Sequence, residues 1–431
     1  MSDVLRDADE PAILDRPPMN ERGPLSPRYL AFVAGMGLSS LGDAAWYVAL
    51  TWTLTRVSSP AVAGAVLALA GLPMLAALLA GGAVADRYGP RRVMVGTDLA
   101  RCGAMLAAAG TVAVIGPVVP LLVAVAAVLS LLNAYFVPAS GALRPQLLPS
   151  RHLVRGNAAY LLGLRGGQAA GGPIGAALVD VGGIALVACV NAVSFVGSAM
   201  AVLLSRPLAA ATARLAPVAP AQRPPPEARP PFFAQVRAGL RYIARERRLR
   251  LLMVVAGLVE LSNAGPLNIG VVLFARSAGT AASGTGLLLT AFTAGATVSF
   301  LATLILPARR RAAPRLVAGI LTQGACLVTL GLAGSLSWGV AAYFITGVSS
   351  GFVGITLVSL VQRWSATELR GRVMSIQALV IFASVPLGNL AIGSLIEWFG
   401  VAVTMCAHAI LSCAAVAIVL ATPALRGARL D

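Results

Sequence analysis

Ionisable side chains stand at four places inside long apolar runs: Asp43, Asp98 with Arg101, Arg165, and Glu260. A charge at membrane depth is costly, so each is a candidate for function. Asp43 has Ser39 and Ser40 one turn before it and Trp46 and Tyr47 one turn after, which makes one polar, aromatic helix face. A carboxyl group in such a setting can exchange a proton, hold a cationic substrate or form a structural pair. Arg165 shares a face with Gln168 and stays charged at any pH, so it needs an acid, a carbonyl or water beside it. Asp43 is its expected partner, with backbone carbonyls as the other possibility. Glu260 has Asn263 one turn on and a helix break at Gly265-Pro266, an arrangement suited to a polar site on a cavity wall. Asp98 and Arg101 share one face and read as a structural pair. Asn133, Tyr135, Asn268, Gln377 and Asn389 are the remaining polar cavity candidates. So few polar groups suit an amphipathic organic substrate better than a sugar.

The elements that must position these residues are membrane-spanning helices. The chain is 58% hydrophobic and 11% charged, with mean hydropathy +0.84. A soluble domain carries about 25% charged residues. Runs of about 20 apolar residues match the thickness of a bilayer core, and in lipid such runs are helical because the backbone must satisfy itself. Spans are expected near 29–55, 60–85, 92–115, 118–140, 153–178 and 182–205. A second set is expected near 249–275, 283–306, 314–335, 338–362, 373–397 and 401–422. The expected fold class is thus an all-α polytopic membrane protein of twelve helices in two six-helix bundles, residues 29–205 and 249–422. A charged, proline-rich tail (1–28) precedes them and a short tail (423–431) follows. The linker, 206–248, is Pro/Ala-rich at first. From Phe232 it places arginines and apolar residues at helical spacing, as in an amphipathic helix lying on the membrane surface.

Net charge is +17, and every basic residue is arginine. The arginines follow spans 2, 4, 8 and 10 and crowd the linker; the opposite loops hold little beyond Arg56 and Arg276. This bias places both termini in the cytoplasm and accounts for the charge without nucleic acid. With no lysine, a phosphate-cradling Walker loop and a Schiff base are excluded, so no ATP-driven step or cofactor is expected. The five cysteines lie in apolar runs without metal spacing and read as small core residues, and no metal is expected. Two histidines, His152 and His408, and no acid/base pair argue against an enzyme.

The halves share features. Arg155-Gly156 and Arg370-Gly371 stand before spans 5 and 11, each followed by a proline, Pro173 or Pro386. Six-plus-six repeats are typical of transporters with a site near the midplane.

The loop after span 2 reads GGAVADRYGPRR. Its pattern Gly82-x-x-x-Asp86-Arg87-x-Gly89-x-Arg91-Arg92 resembles the loop 2–3 signature of the major facilitator superfamily, with Pro90 where that signature carries a basic residue. Residues 39–64, 136–158 and 368–390 are similar to the branch containing the enterobactin exporter and macrolide-efflux proteins. The likeness runs from about residue 28 to 422. It implies a two-bundle fold, alternating access and export driven by proton entry. GGPIGAA (171–177), with Gly172, Pro173 and Gly175, resembles the antiporter motif of exporters, though Ala176 and Ala177 replace common glycines.

In loop 2–3, Asp86 is expected either to latch onto the start of span 11 (Glu368, Arg370, Gly371, Arg372) in one conformation or to form a fixed helix-end pair. The expected function is a monomeric, proton-coupled exporter of amphipathic small molecules such as drugs, siderophores or secondary metabolites. It would sit in the bacterial inner membrane, with the lipid bilayer, protons and substrate as its partners. An uptake permease, a lysophospholipid flippase and a non-transporting receptor are the alternatives.

Overall fold

A computed structural model describes residues 26–148, 153–205, 232–305, 311–366 and 369–428. The first three helices start where the chain supplies Ser-Pro or Gly-Pro. α1 (Pro27–Val57) is capped by Ser26, whose hydroxyl accepts from Tyr29 N at 3.3 Å. α2 (Pro60–Tyr88) is capped by Ser59. Proline at the first helical position is pre-set for the helix and has no N–H to leave unpaired. Gly89, at φ +85°, ends α2 and lets α3 (Pro90–Ile115) begin one residue later. α4 is Val119–Leu147.

α5 (Leu153–Leu204) is 52 residues long and bends at Gly183, where φ is +65°. The second half begins with α6 (Phe232–Arg245) and α7 (Arg247–Gly265). A π-helical turn, Pro266–Gly270, joins α7 to α8 (Val271–Ser277). Then come α9 (Ala282–Ile305), α10 (Ala312–Ala333), α11 (Leu336–Trp364) and α12 (Arg370–Ala421). α12 is again 52 residues long, with its bend at Gly400, φ +76°; α13 is Pro423–Arg426. The spans expected as 153–178 and 182–205, and as 373–397 and 401–422, are therefore joined without a loop. One left-handed glycine turns the chain back at each junction.

Among the described residues, eight segments are long and apolar enough to cross a membrane, the two bent helices counted once each. α1 and α2, of 31 and 29 residues, are further helices of spanning length. The expected twelve is thus supported in part. Large apolar side chains are exposed along the outer walls, Val114 and Leu162 among them, as lipid-facing helices require. Cys189 and Cys413 are exposed too, so the expectation that all five cysteines are core residues fails for these two.

α1–α5 pack among themselves, as do α7–α12. α5 carries Gly163, Gly167, Gly171 and Gly175, four residues apart, and this stripe lies flush on α1. A Cβ on Gly163 would meet Val33 Cγ1 at 2.8 Å; on Gly167, the Leu41 amide at 3.1 Å; on Gly171, the Leu41 carbonyl carbon at 3.1 Å. Small residues at this spacing let helix backbones touch in lipid, where helix association has no water-driven term.

The two ends of the molecule differ. At the end away from the arginine-rich loops, one apolar core joins Ala45–Leu54 of the first half to Ile269–Phe274 of the second. At the arginine-rich end the cores are separate: one from α1–α5 around Phe32 and Met94, the other from the second half around Leu252 and Leu360. The halves are sealed at the arginine-poor end and split at the other. α6 lies at the split end, with Arg237, Arg241 and Arg245 exposed. Ile243 is buried in the second half's core, and the Tyr242 hydroxyl accepts from the Ala366 amide at 3.2 Å. The helix expected in the linker is thereby pinned to the loop before α12.

Candidate functional site

The cleft between the halves is built mainly by α1, α4, α5, α9 and α11. It holds a cavity of about 520 Å³ that Asp43, Tyr47, Asn133 and Gln168 help to line. A second chamber of about 340 Å³ shares Asp43, Tyr47 and Asn133 and adds Trp46, Arg101 and Asn389. A third, about 570 Å³, lies toward the arginine-rich end between Arg165 and Gln168 of α5 and the threonines and serines of α9 and α11. Shared lining residues make these one continuous space. Apolar groups such as Phe136, Phe292 and Phe300 dominate its walls. Asp43 is the carboxylate common to the first two chambers, and no other acid lines any of the three.

Asp43 does not meet Arg165. Arg165 Nη1 donates to Gln168 Oε1 at 2.9 Å, one turn along its own helix, and its head faces the third chamber. The expected Asp43–Arg165 pair is thereby corrected. The side chains flanking Asp43 are Arg101, from α3, and Asn191, from the far arm of α5. Arg101 is 2% exposed and Asp98 fully buried. Arg101 Nη1 stands 3.4 Å from Asp98 Oδ1, and its Nη2 donates to Asn133 Oδ1 at 2.8 Å. Its guanidinium carbon lies 4.4 Å from the Phe136 ring centre and 5.4 Å from that of Phe195. Such a cage holds the planar head by hydrogen bonds at its edge and by two aromatic rings beside it. The Asp98–Arg101 pair was legible from its spacing. Its place in the chamber that Asp43 lines was not, because nothing in the sequence tells which side of α3 faces α4 and α5.

Glu260 and Asn263 do not line these chambers. Asn263 is buried, donating to Val259 O and to Gln323 Oε1 of α10, both at 2.8 Å. Glu260 is partly buried and makes no hydrogen bond among the described residues. Nor is the expected break at Gly265-Pro266 a broken helix with bare carbonyls. The π-helical turn continues the path, Asn268 Nδ2 donates to Ala264 O at 2.5 Å, and the Tyr343 hydroxyl donates to Pro266 O at 2.9 Å. Tyr135 packs against the apolar core at the split end rather than lining the cavity. Gln377 is buried in α12.

Three polar contacts bridge the halves at the sealed end. The Tyr47 hydroxyl donates to Asn268 Oδ1 at 2.7 Å. Arg276 donates to the Thr55 carbonyl. Glu397, on α12, accepts from the Ala61 amide at 2.9 Å and so caps α2. Gly172 and Pro173 sit where α5 crosses α9, against Leu289 and Gly286, while Gly175 faces Ala45 of α1. The antiporter-like stretch is therefore an interface between the halves. Tyr47→Phe is expected to loosen the seal by the net worth of one hydrogen bond, about 0.5–1.5 kcal/mol, or roughly a two- to tenfold shift in population. Spin labels at Val114 and Leu332, exposed positions near that end of each half, should gain a longer distance component. An unchanged distribution would remove this bond from the seal.

In loop 2–3, Arg91 donates to Val202 O at 3.2 Å and to Leu203 O, capping the carbonyl end of α5. Arg87 stacks over Tyr88, and Arg92 is exposed. The side chains of Gly82, Asp86, Arg370, Gly371 and Arg372, and all of Glu368, lie outside the described residues, and with them the expected latch.

Residues 32–363 match the sequence profile of the Major Facilitator Superfamily. The chain is 29% identical over 421 residues to a protein of Mycobacterium tuberculosis (strain ATCC 25618 / H37Rv) named Multidrug efflux pump Tap, covering 93% of this chain and 94% of that one. It is 27% identical over 397 residues to the protein of the same name from Mycolicibacterium fortuitum, covering 90% and 92%. In fold it is similar to a bacterial homolog of the human lysosomal transporter Spinster in an inward-facing and occupied conformation, with a TM-score of 0.69 at 14% identity over 91% of this chain and 95% of that one. The nucleoside transporter NupG gives 0.67 at 14% identity over 91% and 98%.

Proposed function

The chain belongs to the Major Facilitator Superfamily, and we propose that within it this protein is an exporter of amphipathic small molecules, exchanging each for protons by alternating access. Asp43 carries this reading. It is the acid on the wall of the cleft, flanked by a buried arginine and set among aromatic and aliphatic groups. A carboxyl group there can hold either a proton or a cationic part of a substrate, so the two compete for one place. The apolar walls take up the rest of the substrate by area, without fixed hydrogen-bond readout. Likeness to proteins named as multidrug efflux pumps supports the outward direction.

On this reading the arginine-rich end lies in the cytoplasm of a bacterial inner membrane with both termini inside, and the positive-inside bias of the loops supports that orientation. The conformer described is then open to the cytoplasm and ready to load. The proton gradient supplies the energy, and the chain works as a monomer with no cofactor.

The test is efflux of a fluorescent lipophilic cation from cells expressing the chain, with and without a protonophore, beside Asp43→Asn at equal membrane level. Efflux that stops with the protonophore and is lost in the variant is expected. Efflux indifferent to both would remove proton coupling and Asp43 together.

A further inference from the structure

Arg101 stands between Asp98, its ion-pair partner, and the chamber that Asp43 lines. Arg101 pairs with Asp98 at 3.4 Å, borders the same chamber as Asp43, and is the cation nearest both acids. From α4 this cluster meets Asn133; from the far arm of α5 it meets Asn191, Ser194 and Ser198; α1 adds the serines beside Asp43. None of these carries charge, and the second half adds Asn389 only. Arg101 and Asp98 are buried and Asp43 opens on the cleft; at membrane depth the two carboxyl groups and one arginine carry a net charge of −1 unless one carboxyl is protonated. An uncompensated charge at that depth is the costly state, and a neutral cluster avoids it. Asp98 Oδ2 is buried and has no hydrogen-bond partner among the described residues, and the neighbouring Ser198 Oγ also lacks one. An orphaned carboxylate oxygen beside a free hydroxyl is where a carboxylic O–H fits.

We propose that Asp98 is the second half of the proton site, holding with Asp43 one shared proton that a monovalent cationic substrate displaces. This rests on the exporter reading above. At rest the cluster is Arg101 positive, one acid ionised and one protonated, a sum of zero. When a monovalent cation docks on Asp43, both acids are ionised, Arg101 and the substrate supply two positive charges, and the proton leaves through the water of the cleft. The sum is again zero. One proton is exchanged per monovalent cation, and transport moves no net charge across the membrane. Asp98 does not touch substrate; it holds the shared proton and is coupled to Asp43 through Arg101.

The experiment uses the full chain in detergent and in proteoliposomes, with tetraphenylphosphonium as probe. In weak buffer with a pH indicator, binding to wild type should release about one proton per cation, and affinity should rise with pH. Asp98→Asn leaves Asp43 and Arg101 already neutral without a proton. It should release none, and its affinity should lose most of its pH dependence. Release of one proton by Asp98→Asn overturns the proposal, yet leaves the exporter reading intact if cell efflux remains protonophore-sensitive. Binding to wild type without proton release overturns both. Should Asp98→Asn fail to fold, Asp98→Ser takes its place and is read by the same two outcomes. In proteoliposomes, counting only uptake above that of protein-free liposomes, a pH gradient at clamped potential should drive uptake, and an imposed potential without a pH gradient should not. Drive by potential alone would overturn the electroneutral exchange.

Discussion

Gly167→Leu is expected to leave little folded protein in the membrane, while Gly166→Leu, one residue earlier, is expected to be tolerated. A Cβ at Gly167 overlaps the Gly37 carbonyl oxygen and comes within 3.0 Å of its carbon and 3.1 Å of the Leu41 amide, all backbone. Backbone cannot swing aside as a side chain does, so α1 and α5 must part. Overpacking of a side-chain core costs about 1–3 kcal/mol, and a backbone wall stands at the upper end or beyond. Parting these helices also strips the neighbouring glycine contacts, because Gly163, Gly171 and Gly175 lie on the same line. A Cβ at Gly166 meets nothing within 4 Å. The measurement is yield and Tm by fluorescence size-exclusion in detergent. Equal Tm values for the two variants would show that the stripe is not what holds α1 to α5. Because α1 carries Asp43 and α5 carries Arg165 and Gln168, this contact also sets the width of the cleft.

How much could be read beforehand follows from what each signal depends on. The helices were legible as spans because apolar run length acts locally. The bends at Gly183 and Gly400 were placed only as gaps between spans, since a left-handed residue can end a helix or turn one back. The residues around Asp43 were legible as one helix face. The arginine beside it was not: Arg165 and Arg101 are both arginines in apolar runs, and only the packing of α3 against α4 and α5 brings Arg101 to the chamber that Asp43 lines. Asn263 was misread for a related reason. A polar residue near a Gly-Pro break looks like a cavity group, but its partner, Gln323, is 60 positions away.

Arg101→Met is the second large effect, and its rescue is as informative as the loss. The guanidinium is 2% exposed and is the positive charge between two acids. Removing one partner of a buried ion pair costs about 3–5 kcal/mol, because the other charge stays uncompensated. Here the loss includes the hydrogen bond to Asn133 and the contacts with Phe136 and Phe195. Methionine restores much of the volume, so the charge imbalance dominates. Arg101→Met should therefore lower Tm sharply. Arg101→Met with Asp98→Asn should recover much of the loss, since that double variant buries a neutral pair. Recovered Tm with proton-coupled efflux still absent would separate the two duties of Arg101, holding the fold and balancing Asp43. An Arg101→Met protein as stable as wild type, or a double variant no more stable than the single, would refute the charge balance. In the first case the carboxyl groups need no cation; in the second the lost aromatic and amide contacts, not the charge, carry the cost.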